Sequence, residues 1–261
     1  MQIDKAIILA AGPSSRLSPL TNQLPKCLLS LGKNTILSHI LDTLKNEGVE
    51  NIAMVVGHMR EKIMESYPEL TYYINSDFRK NNILKSLFYA EEFMDGGFIV
   101  SYSDIVYSAE MVERLQEADG DIVVVVDTDW RERYKGRTDH PTDEAELVVL
   151  NERGHIERIS KFLNPDAAYG EFIGLVKFTP RGSRILIQNY HRVHENKWCG
   201  FTGRFHDASS IEVAYLTDMI QELIDRYYPV QMVEVHKDWV EIDTLQDLEY
   251  ARKHFNLDGC L

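Results

Sequence analysis

The stretch Lys5–Leu31, KAIILAAGPSSRLSPLTNQLPKCLLSL, decides how the rest of the chain is read. Its apolar run Ala6–Ala10 has the length and composition of a buried strand. The run breaks into a loop containing Gly12, Pro13, Ser14 and Ser15, followed by Arg16 and, ten residues later, Lys26. A loop of small residues at the carboxyl end of a parallel strand lets backbone N–H groups approach a polyphosphate, and two cations then offset its charge. The spacing matches neither GxxxxGK[ST] nor GxGxxG, so P-loop NTPases and dinucleotide folds fit poorly.

Outward from this loop, strands alternate with helix-length segments. Ile36–Glu47 places Ile36, Leu37, Ile40, Leu41 and Leu44 on one helical face and stops at Gly48. Strands are expected at 51–56, 70–74, 98–102 and 122–126, with helices at 60–66, 84–94 and 109–118, the last capped by Ser108. Such alternation implies βαβ units and a doubly wound, mixed but mostly parallel α/β sheet. The second half is less regular. A hairpin is expected around the turn Asn151–Gly154, then a strand at 170–178 and a helix opened by Thr179-Pro180. A helix over 211–227, a strand at 230–235 and a segment at 239–242 precede a last helix from Thr244. No internal repeat or linker interrupts the chain, so residues 1–261 read as one domain, with the hairpin and nearby helix as a small lobe.

Composition sets limits. A hydrophobic share of 44% with 26% charged residues is that of a soluble globular protein. A net charge of −13 argues against nucleic acid or an anionic membrane as partner, because phosphate backbones demand basic patches. Cys27, Cys199 and Cys260 are odd in number and far apart, which fits a reducing cytoplasm. The run Ala6–Ala11 is too short for a secretory h-region, and no run approaches the length of a membrane span. A homodimer is compatible with all of this.

LAAGPSSRLSPLT…LPK resembles the amino-terminal signature of nucleotidyltransferases that activate sugar phosphates and phosphocholine, roughly AAGxGxRLxPLTxxxPK, with Ser14 where a second glycine is usual. The resemblance implies a Rossmann-like nucleotidyltransferase fold, with Ala10, Ala11, Gly12, Pro13, Ser14 and Ser15 cradling the nucleotide and Arg16 and Lys26 as catalytic cations. It also implies magnesium held by Asp104, in SYSDIVY, and Asp243, in WVEIDT, at the carboxyl ends of strands. Magnesium favours one or two carboxylates plus phosphate oxygens. Read alone, Asp104 is a turn residue and Asp243 an N-terminal helix cap. RKNNILKSLFYA resembles the base- and ribose-holding segment of phosphocholine-type cytidylyltransferases, which implies Asn81, Asn82, Ser86 and Leu87 at CTP; Gly57-His58 could border the same pocket.

Trp130–Thr138 packs Arg131, Arg133, Lys135 and Arg137 into seven residues of an acidic chain. This is a solvated face or a site for an anionic acceptor. DTDWRERYKGRTDHP, GEFIGLVKF and AYLTDMIQELID are similar to segments of cytidylyltransferases in phosphonate biosynthesis, so the resemblance covers most of the chain. It implies Arg131, Lys135, Arg137, Lys161 and Glu171 at the acceptor and points to CMP transfer from CTP to a phosphonate. A phosphocholine enzyme would need an aromatic pocket, which Tyr169, Phe172 and Trp239 could supply. The EKP pattern of sugar-1-phosphate enzymes is absent around Lys161. A catalytically inactive nucleotide-binding relative and a glycosyltransferase using Asp127-Thr128-Asp129 are the rivals from other classes. His191 and His194 lack a third ligand, and with Glu91 and Glu92 they read as helix surface.

Overall fold

The computed structural model describes residues 2–198 and 203–254. β1 (Lys5–Ala10) leads through three single turns to a small hairpin, β2 (Ser30–Leu31) and β3 (Asn34–Thr35), and then to α1 (Ile36–Asn46). β4 (Asn51–Val56), α2 (Arg60–Ser66), β5 (Thr71–Ile74), α3 (Ile83–Leu87), β6 (Phe98–Tyr102), β7 (Ile105–Tyr107), α4 (Ala109–Glu117) and β8 (Ile122–Asp127) follow. The second half holds α5 (Trp130–Tyr134), β9 (Leu147–Leu150), β10 (Ile156–Ser160), β11 (Gly170–Phe178), α6 (Pro180–Trp198), α7 (Leu216–Asp225), β12 (Gln231–Val235), β13 (Trp239–Glu241) and α8 (Leu245–His254).

β1 pairs in parallel with β4 on one side and β6 on the other. β11 then runs antiparallel between β6 and β8, and β12 joins β8 in parallel. The β9–β10 hairpin extends from the start of β11. Helices cover both faces, so the central strands are apolar on both sides rather than alternating. Along β1, Ala6, Ile8 and Ala10 enter one hydrophobic layer while Ile7 and Leu9 enter the other. The mostly parallel, doubly wound sheet is the one expected.

Three local differences have physical reasons. The expected helix 84–94 is α3 followed by tighter turns, with Ala90 outside helical geometry at φ −99°. Phe88, Ala90 and Met94 are all buried, and a regular helix would set Phe88 and Ala90 on opposite faces. The expected helix 211–227 is a single turn at Ile211–Val213 and then α7, because Asp218 accepts the Tyr215 N–H at 2.7 Å and restarts the helix there. β7 has no counterpart in the sequence reading; it exists because β13 pairs with it, Trp239 opposite Tyr107. Such a partner has no local signal. Cys27 is buried, and Cys199 and Cys260 lie outside the described residues.

Candidate active site

At the end of β1 the chain turns into the small-residue loop, which forms one wall of a cavity of about 430 Å³. Ser14 sits in the left-handed region, φ 50° and ψ 48°, the conformation a glycine would favour there. Its carbonyl accepts the Thr21 hydroxyl at 2.9 Å. A Cβ built on Gly12 would meet no protein atom within 4 Å, so packing does not require glycine at this position. The space a side chain would fill is the cavity itself, which suits close approach of a polyphosphate to the backbone.

Across the cavity, Lys26 joins the two aspartates named above. Its Nζ donates to Asp104 Oδ2 at 2.8 Å and to Asp243 Oδ1 at 2.7 Å, and only 9% of the side chain is exposed. Burial alone lowers the pKa of Lys26, but Asp104 and Asp243 outweigh it and raise the value, keeping the ammonium charged. Arg16 reaches Asp243 from the loop and Glu144 at 3.2 Å. Burial pushes the pKa of Asp243 up, yet Lys26 and Arg16 together hold it below the usual carboxylate range. Asp243 is not the cap of α8: the Thr244 hydroxyl accepts the Asp247 N–H at 3.2 Å, and Asp247 in return accepts the N–H groups of Asp243 and Thr244.

Beside the α3 end of the cavity, Asn82 caps α3 by accepting the Ile83 N–H at 2.8 Å and donates to Val213 O. Asn81 and Ser86 are bound to Asn75, fully buried at the end of β5, at 2.7–3.0 Å. Phe78, Asn81, Asn82, Ile83 and Ser86 line the cavity. Leu87 does not: it is buried in the hydrophobic layer. Gly57 and His58 lie behind the wall, where His58 N donates to Ala11 O and a Cβ on Gly57 would come within 3 Å of Phe78 and that carbonyl. Asn75 escaped the sequence reading because its role lies in ordering its neighbours.

The far end of the cavity departs most from expectation. α5 turns Trp130 and Tyr134 inward, so Arg131 and Lys135 face away. Arg131 donates to the carbonyls of Pro165 and Ala168 and lies over the Trp130 ring; Lys135 pairs with Glu132 at 2.6 Å on the surface. Arg133 is tied to Asp127, which also accepts Trp239 Nε1 at 2.8 Å, so the DxD aspartate is a buried structural group. Arg137 lies behind the cavity, bound to Asp247 at 2.8 Å and to Glu241 at 3.3 Å. Lys161 and Glu171 do line it, and Lys161 pairs with Glu144 at 2.5 Å. Phe172 and Trp239 are in the wall; Tyr169 is outside, bound to Glu234. His191 is bonded to Glu91 at 2.7 Å on the helix surface.

Sequence reasoning missed Glu144, Glu146, His140, Tyr215 and Glu241, which fold together from separate elements. Six carboxylates (Asp104, Glu144, Glu146, Glu171, Glu241, Asp243) line the cavity against three permanent cations, Arg16, Lys26 and Lys161. Such an excess calls for further positive charge from the contents of the site. Asp104 Oδ1 is shielded from solvent and has no hydrogen-bond partner. His140, Glu241 and Asp243 also present ligand atoms within 4.8 Å of one another. The carboxylate oxygens of Asp104, Glu241 and Asp243 fit a hard divalent cation such as magnesium, whereas the His140 nitrogen does not.

A doubly wound sheet whose first strand ends in a small-residue loop, faced by a lysine shared between two aspartates, is the framework of a nucleotidyltransferase. The MobA-like NTP transferase domain matches residues 6–172, and the chain belongs to that family. It is 32% identical over 254 residues to the CTP:phosphoglutamine cytidylyltransferase of Campylobacter jejuni, covering 94% of this chain and 97% of that protein. It is also 32% identical to the 2-aminoethylphosphonate cytidylyltransferase of Lancefieldella rimae, covering 93% and 89%. The inositol-1-phosphate CTP transferase of T. maritima shares the fold, with a TM-score of 0.73, 20% identity and full coverage of both chains. Among the described residues no helix is long and apolar enough to cross a membrane.

Proposed function

We propose that the protein transfers CMP from CTP to a phosphonate, releasing pyrophosphate. The observation that carries this reading is the junction of the Gly12 loop with Lys26, Asp104 and Asp243 in one cavity, with the Asn81–Ser86 segment at its nucleoside end. An acceptor oxygen forms the new bond to the α-phosphorus as the bond to the β-phosphate oxygen breaks, and pyrophosphate departs along the Gly12 loop. Arg16 and Lys26 balance the charge that builds there, and no covalent intermediate is required. Asp104 and Asp243 would hold magnesium, which when bound would neutralise charge on the α-phosphate.

Cytosine as the base and phosphonate as the acceptor are supported by the likeness to the Lancefieldella enzyme over nearly the whole chain. Phosphoglutamine is the second reading, favoured by the equal identity to the Campylobacter enzyme. Pyrophosphate release, measured with each of four NTPs against phosphonates, phosphoglutamine, phosphocholine and sugar 1-phosphates, decides among them. Turnover is expected with CTP and a phosphonate in the presence of magnesium. Preference for another NTP, or for a sugar 1-phosphate, would overturn the reading.

A further inference from the structure

The geometry points to Glu171 as the residue that selects an acceptor bearing a primary ammonium group, a role that rests on the CMP-transfer reading. Glu171 stands at the start of β11 with 5% exposure and lines the cavity. Tyr134 Oη donates to its Oε1 at 2.7 Å, and among the described residues no cation forms an ion pair with it. The other carboxylates have partners of their own. Glu144 takes Arg16 and Lys161, Asp104 and Asp243 share Lys26, and Glu241 takes Arg137. Glu146 accepts two hydroxyls, from Tyr102 at 3.1 Å and Thr217 at 3.4 Å.

A buried carboxylate held by one neutral donor is costly unless a cation completes it. Burial, with Glu241 and Asp127 nearby, pushes the Glu171 pKa up to about 8, whereas Tyr134 and Arg137 draw it down. With that pKa the carboxyl is largely protonated near neutral pH, and an arriving ammonium favours its ionised form and offers N–H donors that a quaternary nitrogen lacks. Glu171 and Lys161 line the same cavity, so the acceptor's nitrogen would meet Glu171 and its phosphorus oxygens Lys161, with Arg16 and Lys26 left to the nucleotide. The cation-rich segment then serves the acceptor through Tyr134, which orients Glu171, rather than through its arginines.

The test compares 2-aminoethylphosphonate with ethylphosphonate, which lacks only the amine, in wild type and Glu171→Gln. Glutamine keeps an acceptor for Tyr134, and thermal melting checks that the variant folds. The KM for the amine-bearing acceptor should rise roughly ten- to a hundredfold, the loss of one charge-assisted contact, with the KM for CTP and the response to ethylphosphonate little changed. Glu171→Asp, which restores the charge, should recover part of the loss. Equal loss with both acceptors would overturn the proposal. Calorimetric binding of the two phosphonates to wild type and to Glu171→Gln reads the same contrast without turnover; equal affinities in wild type, or a preference for the amine that Glu171→Gln keeps, would overturn it too. Failure of every acceptor to release pyrophosphate would count against CMP transfer, while the binding contrast still decides Glu171.

Discussion

Lys26 bridges two carboxylates and, on the proposed reading, offers a charge to the nucleotide, so its removal has two separable effects. Lys26→Met keeps most of the volume and deletes the ammonium. Turnover is expected to fall by about 10²–10³, the usual loss for one charge-stabilising group. The melting temperature should also drop, because Asp104 then loses its ion pair and Asp243 is left with Arg16. Pyrophosphate-release kinetics and a thermal melt measure the two effects, and near-normal turnover would remove Lys26 from the chemistry. Lys26, Arg16, Asp104 and Asp243 were legible in the sequence because short local motifs carry them. Glu241, Glu146 and Tyr134 were not, since each gains its meaning from a partner at least 37 residues away. Arg131 and Lys135 misled for a related reason: charge is visible in sequence, but the face of a five-residue helix is set by what Trp130 and Tyr134 bury.

β11 shows what an element can conceal. Its nine residues are all buried, and the apolar run announced a strand; the irregularity within it was not announced. Pairing with β8 slips between Phe172 and Val176, and Gly174 lies there at φ +87°. The irregularity brings Tyr102 against the strand, so a Cβ on Gly174 would come within 2.4 Å of that ring. Gly174→Ala is therefore expected to destabilise the protein by about 2 kcal/mol or more, from backbone strain and the clash together. It should also displace Tyr102 and weaken the bond to Glu146. Chemical denaturation checks the first effect, and an unchanged midpoint would show that the irregularity yields cheaply. Helices and parallel strands were legible because their periodicity is local, whereas β7 depends on β13 and the break at Ala90 depends on packing.

For the molecule as a whole, the acidic interior of the site predicts how stability responds to pH. Burial raises Glu146 to about 7 and Glu171 to about 8, against 4.5 for an ordinary glutamate. Between about 4.5 and these values the folded chain binds more protons than the unfolded one, so this contribution to stability declines as pH rises through the window. Glu171 is faced by Tyr134, Arg137, Asp127 and Glu241, and Glu146 by Tyr102, Thr217, Lys161 and Asp218. Glu171→Gln removes one titration, so its melting temperature should gain on that of wild type between pH 5 and pH 9, the range chosen to bracket about 8. A constant difference across that range would show that Glu171 stays ionised throughout.

The pairing of Lys26 with Asp243 spans 217 positions, and protein synthesis proceeds in one direction. At about 5–20 residues per second, roughly ten to forty seconds separate the emergence of the two side chains from a ribosome. During that interval the lysine has at most Asp104 for company, and the segment that locks against Tyr107 has yet to appear. A nascent chain can therefore lay down most of the sheet before the cavity has its full set of charges. On the proposed roles of Lys26 and Asp243, competence arrives only with β13 and the residue two places beyond it, which makes the last wall of the cavity its own proof of completion.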